Sequence, residues 1–237
     1  MIKVVILSAG PGLPEIVEEF GHSSDWIPEL LPDDEIEFSI RKIYENDFGN
    51  LDEADAWIIT GSKYSVYDKC DWIEDLKIFV SKLISNNKPI LGICFGHQLI
   101  AKCLGSEVKK NTKGWELGSY NIILSKAGKK HKLLDGLTDG DVVYESHQDV
   151  VCNMTKKMTE LAVTDKANQS FSYNGNTFGV QFHPEFSYDV TRKLMDLRIQ
   201  NGIKVDSNIL SESENSHKVL TNFISIVKGY KYEQSNI

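Results

Sequence analysis

The chain has 237 residues, of which 41 % are hydrophobic and 25 % are charged, and its formal net charge is −8. This length and balance are typical of a soluble globular protein with one substantial α/β domain or two small ones. The negative charge, with no Lys/Arg run longer than two, disfavours a surface that binds nucleic acid or an anionic membrane.

A short apolar run near the N-terminus, "IKVVILS" (2–8), has the continuous pattern of a parallel strand buried on both faces. It is too short for the apolar part of a secretion signal or for a membrane span, and no later run approaches 18 apolar residues. The four cysteines show no C-x-x-C spacing, so we expect reduced thiols, a cytoplasmic location and no membrane partner.

Strand and helix patterns alternate through the first half of the chain. The segment 10–35 mixes a short helical pattern with prolines, which indicates a helix followed by an irregular excursion. The other predicted elements are strands at 2–8, 36–44, 54–62 and 89–94 and helices at 71–86 and 96–105. This order predicts an α/β fold with a mostly parallel central sheet and flanking crossover helices.

From about residue 107 the pattern changes to short strands separated by turn residues. The runs are "SYNIIL", "DVVYES", "ELAVT", "QSFSY" and "TFGVQF", and "YNGNT" is a hairpin signal. We expect an antiparallel extension of the same domain, followed by helices at 188–200 and 216–228. The sequence is therefore interpreted as one domain, 1–237, in which 188–237 form a helical tail.

The stretch "PILGICFGHQLIAKCLG" places Cys94 where a predicted strand passes directly into a helix. Gly92 and Gly96 allow strand and helix to approach closely, and the following helix N-terminus favours a thiolate over a thiol. This G-x-C-x-G arrangement is the cysteine counterpart of a nucleophile elbow. The alternative, a small buried packing residue, does not explain the glycine frame.

Two main-chain amides are candidates for stabilising an oxyanion beside Cys94. The N–H of Phe95 follows the nucleophile, as in other elbows. The second donor is expected from Gly61 in the turn "TGS" (60–62), because that turn ends another strand of the predicted sheet.

A cysteine nucleophile also needs a base and a group that orients the base. His183 follows an alternating strand and opens "HPEF", where Pro184 favours an extended backbone at His183. Glu185 can then bond one imidazole nitrogen and leave the other for Cys94. His97 is too close to Cys94 along the chain to serve easily as the base. We therefore predict a Cys94–His183–Glu185 triad.

These motifs resemble the class I (triad) glutamine amidotransferase family. "GICFGHQ" (92–98) and "FHPE" (182–185) carry the resemblance, and "ITGSKYSVYD", "KGWELGSY" and "SHQDVV" support it in the family's order. The single glycine of "TGSKYS" and the "SHQD" motif make the chain look more like the stand-alone branch, including γ-glutamyl peptidases, than like amidotransferase domains of GMP synthase.

The resemblance implies a flavodoxin-like domain that hydrolyses a γ-glutamyl amide through a γ-glutamyl thioester, without a cofactor or a metal. Carried over by position, Cys94 is the nucleophile, His183 the base and then the acid, and Glu185 its orienter, while Gly61 and Phe95 supply the oxyanion N–H groups. Gln98 would bind the α-carboxylate or α-amino end of a small-molecule substrate, glutamine or a γ-glutamyl compound, and Asp149 would pair with its α-ammonium.

Three other functions stay open at the level of sequence. The chain could be an amidotransferase subunit that supplies ammonia to a separate synthase partner, similar to GMP synthase. It could be a sensor or binding protein that keeps the thiol without hydrolysis, although such a thiol needs no His183–Glu185 pair. A metal site of Cys94, His97, His183 and Glu185 is the weakest alternative, because binding a metal does not require a thiol on an elbow opposite an oxyanion turn.

Overall fold

An eight-stranded sheet lies at the centre of the computed structural model, which describes residues 1–205 and 210–234. Two further pairs of strands form small separate sheets. The strands in chain order are Ile2–Ser8 (β1), Ile36–Lys42 (β2), Ala56–Ile59 (β3), Ile90–Ile93 (β4), Glu107–Lys110 (β5), Glu116–Asn121 (β6), Ile123–Leu124 (β7), Val142–His147 (β8), Asp149–Cys152 (β9), Thr159–Val163 (β10), Asn168–Tyr173 (β11) and Thr177–Val180 (β12).

The order of the central sheet is β2-β1-β3-β4-β12-β11-β10-β7. The first five strands are parallel neighbours, and the last three continue the sheet with antiparallel pairing. The order of the parallel part is that of flavodoxin-like folds. The predicted fold class, a mostly parallel sheet with flanking helices and an antiparallel extension, is confirmed.

The second half of the chain is less uniform than the sequence predicts. The sequence pattern places the run "TFGVQF" in the antiparallel extension, but β12 lies beside β4 in parallel register, with Gly179 opposite Gly92. Only β11, β10 and β7 form the antiparallel part of the sheet. The strand pairs β5–β9 and β6–β8 lie outside it. The sequence did not predict this arrangement, because turn signals locate the ends of strands but do not determine which strands pair.

Helices cover both faces of the central sheet. They are Pro14–Phe20 (α1), Ser23–Glu29 (α2), Asp71–Ser85 (α3), Phe95–Cys103 (α4), Tyr188–Gln200 (α5) and Lys218–Gln234 (α6). On one face α3 and α4 pack in a core with Trp57 and Phe171, and on the other α6 packs through Phe223 in a core with Phe178. The helix predicted as part of a tail, α6, therefore contributes core residues. Of the described helices, none has the length and apolar composition to cross a membrane.

Candidate active site

Cys94 lies at the sharp corner between β4 and α4. Its backbone has φ 50° and ψ −99°, which is a strained conformation for a residue with a side chain. A Cβ atom at Gly92 would lie 2.3 Å from the main chain of Gly96, and one at Gly96 would lie 2.5 Å from the carbonyl oxygen of Ile59. Only glycine fits at these two positions, so the glycine frame holds Cys94 at the N-terminus of α4, where the first N–H groups have no helical partner.

His183 and Glu185 follow β12 and lie beside Cys94. The main-chain N–H of His183 donates to the carbonyl of Tyr144 at 2.9 Å, which fixes this corner to β8. His183 Nδ1 is 2.8 Å from Glu185 Oε1, and the ring is stacked on Phe186 with centroids 3.8 Å apart. Cys94 lies beside the same ring, since a Cβ atom built on Gly61 would contact both side chains, and the two side chains interact electrostatically. The three members of the predicted triad are thus adjacent, in the order that a nucleophile, base and orienting carboxylate require.

The electrostatic environment of His183 favours its protonated form. Burial of the ring lowers the pKa of His183, but its interactions with Glu185 and Cys94 outweigh that effect and raise the pKa to about 10. The imidazolium is therefore the main form of His183 at neutral pH, and a proton is available at the nitrogen that faces Cys94.

The turn at Gly61 closes over the same side chains. A Cβ atom at Gly61 would lie 2.6 Å from His183 Cε1 and 3.5 Å from Cys94 Cβ. Among the described residues, none accepts a hydrogen bond from the Gly61 N–H. Thr60 Oγ1 accepts from the N–H of Ala9 at 3.0 Å and Ser62 Oγ donates to the carbonyl of Ala9 at 2.6 Å, so the turn is fixed to the residue that follows β1.

A polar pocket with a cavity volume of about 240 Å³ opens beside the elbow and includes Cys94, Phe95, Gln98 and Asp149 in its lining. The Asp149 carboxylate accepts hydrogen bonds from Ser65 Oγ at 2.5 Å and from Tyr67 OH at 2.9 Å. Gln98 Nε2 donates to the main-chain carbonyl of Asp149 at 2.9 Å. The predicted substrate-binding pair is thus in contact, and Gln98 holds the backbone that carries the carboxylate.

A buried ionic cluster lies behind Asp149. His147 Nε2 is 3.0 Å from Glu145 and 3.3 Å from Glu116, and His147 Nδ1 is 3.0 Å from the carbonyl oxygen of Asp149. Burial opposes a charge on His147, but the two carboxylates raise its pKa well above the usual value, while burial raises the pKa of Glu145 to about 7. A protonated His147 is paired by charge with the two carboxylates and donates from Nδ1 to the Asp149 carbonyl, so it connects the acidic cluster to the backbone of Asp149.

Beyond His183 lies a second, apolar pocket with a cavity volume of about 100 Å³. Its lining includes Leu13, Ile16, Trp26 and Phe186, which come from α1, α2 and the segments beside them and from the corner after His183. The two pockets have four residues in common, namely Ser62, Lys63, Ser146 and Arg198.

The structure brings together every residue that the sequence predicts for the site, but the sequence missed their supports. Ser65 and Tyr67 lie in "SVYD", Glu116 in "KGWELG" and His147 in "SHQD", so each belongs to a motif of the family resemblance without an expected role of its own. The signal that could have found them is a set of polar residues at strand ends in a predicted core. Arg198 gave no signal, because it lies in an ordinary amphipathic helix.

The metal alternative does not fit this geometry. His97 is completely buried, its ring lies 4.8 Å from that of Phe171, and burial lowers its pKa to about 3. Within residues 1–205 and 210–234, no group of three His, Cys, Asp or Glu side chains is arranged to hold a metal ion.

Comparison with known proteins identifies the family. The family model "Glutamine amidotransferase class-I" matches residues 32–197. Gamma-glutamyl peptidase 3 of Arabidopsis thaliana is 30 % identical over 154 residues, which are 63 % of this chain and 62 % of the peptidase. A subunit of the glutamine-hydrolysing GMP synthase of Sulfolobus acidocaldarius is 37 % identical over 158 residues, which are 65 % of this chain and 78 % of that protein.

The fold is similar to that of a glutamine amidotransferase from Thermotoga maritima. The TM-score is 0.74 with 22 % sequence identity, over 95 % of this chain and 96 % of that one. Because the family model covers more than half of the sequence and its matched region includes the elbow, this chain belongs to the class I glutamine amidotransferase family.

Proposed function

We propose that the protein is a cysteine amidohydrolase that cleaves the γ-glutamyl amide bond of glutamine or of a γ-glutamyl peptide. The observation that carries the proposal is the strained Cys94, which lies beside a histidine whose Nδ1 is held by Glu185. A packing cysteine requires neither the strained corner nor the oriented base, whereas a nucleophile requires both.

In the proposed reaction, the Cys94 thiolate attacks the γ-carbonyl carbon of the substrate. The main-chain N–H groups of Gly61 and Phe95 stabilise the oxyanion. His183 then donates its proton to the leaving nitrogen, the C–N bond breaks, and a γ-glutamyl thioester remains on Cys94. Water attacks this thioester while His183 takes a proton, and breakage of the C–S bond releases glutamate and restores the thiolate.

The polar pocket supplies the chemistry for the α-amino end of the glutamyl group. Asp149 is an acceptor for the α-ammonium, since an ionised carboxylate has more acceptor sites than Ser65 and Tyr67 use. Gln98 supports this binding in two ways. Its hydrogen bond to the main chain of Asp149 positions the carboxylate, and its side chain lines the pocket beside the substrate.

The purified protein provides the first test. Glutamate release from glutamine and from γ-glutamyl dipeptides is measured for the wild type, for Cys94→Ala and for Cys103→Ala, which replaces a second cysteine outside the pocket lining. Labelling by a diazo-ketone analogue of glutamine is then mapped by peptide mass spectrometry. We expect turnover and labelling at Cys94 in the wild type and in Cys103→Ala, and neither in Cys94→Ala. Turnover by Cys94→Ala close to that of the wild type would refute the mechanism.

The second candidate is an amidotransferase chain that delivers ammonia to a separate synthase. It is favoured by the similarity to the GMP synthase chain of Sulfolobus acidocaldarius, which extends over 65 % of this protein. Glutamate release by the protein alone, with no stimulation by candidate synthase chains, would weaken this alternative. A protein that is inactive until a synthase is added would overturn the stand-alone hydrolase.

We also propose a cytoplasmic location. All four cysteines are unpaired, as expected in a reducing compartment. Fluorescence of a full-length fusion in the host cell tests this, and an extracytoplasmic signal would contradict it.

A further inference from the structure

The apolar pocket has a position that suits the leaving group of the reaction. His183 lines this pocket and donates the proton that the departing amine receives. The leaving nitrogen must therefore lie beside the His183 ring. The glutamyl part lies in the polar pocket with Cys94, so the substituent on the nitrogen extends toward the pocket on the other side of His183.

The walls of this pocket indicate the chemistry of that substituent. Phe186 is stacked on His183, and Trp26 packs edge-on against Phe186 with ring centroids 5.9 Å apart. The indole N–H of Trp26 donates to the carbonyl of Phe20 at 2.7 Å, so its polar atom is satisfied within the protein. Together with the buried Ile16, these side chains form an apolar surface that fits an apolar group much larger than ammonia.

Arg198 adds a cation at the boundary of the two pockets. Its side chain projects from α5, and its guanidinium lies over the ring of Trp115 at 5.3 Å from the centroid. Nε is buried without a hydrogen-bond partner, and in the described part of the chain Arg198 forms no ion pair. Arg198 interacts electrostatically with Cys94 but has no carboxylate partner among the described residues, and such a partly buried guanidinium is suited to bind a carboxylate from a ligand.

We infer that the preferred substrate is a γ-glutamyl α-amino acid whose second residue has a large apolar side chain, placed against Trp26 and Phe186, with its free carboxylate on Arg198. The inference rests on the proposed hydrolase function. Glutamine and γ-glutamylglycine have the same glutamyl end but leave the apolar pocket empty, so they are the poorer substrates.

Four substrates test the inference on the wild-type protein: γ-glutamylphenylalanine, γ-glutamylglycine, glutamine and γ-glutamyl-2-phenylethylamine, which has the ring but no second carboxylate. We expect kcat/KM for γ-glutamylphenylalanine to exceed that for γ-glutamylglycine by about tenfold or more, since a pocket discriminates by the apolar groups it buries. Equal kcat/KM values for the two dipeptides, or a preference for glutamine, would overturn the inference and leave the proposed function standing.

Variants of Arg198 and of the apolar pocket separate the roles of these two features. Arg198→Met should lower kcat/KM for γ-glutamylphenylalanine by about tenfold more than for γ-glutamyl-2-phenylethylamine. Trp26→Ala should lower kcat/KM for γ-glutamylphenylalanine more than for γ-glutamylglycine. If the melting temperature of Trp26→Ala is lowered, Ile16→Ala provides the same comparison. Arg192→Met, on the exposed side of the same helix, is the matched control.

Each other outcome is also decisive. If Arg198→Met lowers kcat/KM equally for all four substrates, Arg198 acts on the glutamyl end and the assignment of the second carboxylate is wrong. If neither Trp26→Ala nor Ile16→Ala changes selectivity, the apolar pocket does not hold the leaving group. If no substrate releases glutamate and Cys94 is not labelled, the proposed function fails and the inference fails with it.

Discussion

Replacement of Gly61 by alanine tests the geometry of the site most directly. The added Cβ would lie 2.6 Å from His183 Cε1, so the ring must withdraw by about 0.8 Å to reach an ordinary contact of 3.4 Å. A shift of this size moves the ring out of its present geometry, in which Glu185 holds Nδ1 at 2.8 Å and Phe186 is stacked on its face. A displacement of about 1 Å at a reacting group costs roughly 10²-fold in rate. We therefore expect kcat/KM for a γ-glutamyl substrate to fall about 100-fold in Gly61→Ala.

The assay is glutamate release, accompanied by thermal unfolding and by the rate of Cys94 alkylation with iodoacetamide. The melting temperature should change little, because Gly61 is in a partly exposed turn, whereas alkylation should slow as His183 moves away from Cys94 and their electrostatic interaction weakens. Gly229→Ala in α6 is the matched control, since no atom lies within 4 Å of its added Cβ. A folded Gly61→Ala protein with activity within about twofold of the wild type would show that His183 is not held as described.

Three further predictions concern strain, orientation and burial. Because φ of +50° costs an L-residue about 1–3 kcal/mol, Cys94→Gly should be about 1 kcal/mol more stable than Cys94→Ala in urea unfolding, and equal stability would argue against strain at the elbow. Glu185→Gln should lower kcat/KM about 10²-fold or more and move its high-pH limb to lower pH, because the carboxylate that raises the pKa of His183 is lost; an unchanged pH profile would contradict this role. Burial lowers the pKa of His97 to about 3, so between pH 6.5 and pH 3 this side chain is protonated in the unfolded chain but neutral in the folded protein. The free energy of unfolding should therefore fall by about 1.4 kcal/mol for each unit by which the pH decreases across that window, and it should fall less steeply in His97→Leu. Parallel curves of unfolding free energy against pH for the two proteins would exclude the effect.

The parallel half of the fold could be predicted because each of its strands carries a local signal. "IKVVILS" and "PILGIC" are continuous apolar runs, and such runs are buried on both faces only in a parallel sheet with helices on each side. The position of β12 could not be predicted in this way. An alternating run gives the same pattern beside β4 as in an antiparallel hairpin, and the choice depends on where the chain returns after β11.

The elbow and the His183 corner could be proposed from sequence because each is a local feature. Glycines at 92 and 96 report a close approach of strand and helix, and Pro184 constrains the residue before it. The supports of Asp149 are different. Ser65 and Tyr67 are more than 80 residues away from Asp149 in the chain, and neither residue type is distinctive alone.

By itself the sequence determined the fold class, the family resemblance and the thiol at a strand–helix corner, because each depends on neighbouring residues whose backbone preferences can be read locally. The tertiary structure decided which distant side chains face one another: His147 between two buried carboxylates, Arg198 over the ring of Trp115, and an apolar pocket beside His183. Such contacts join segments from separate elements, and their partners are set by how helices and strands pack rather than by any local preference of the chain.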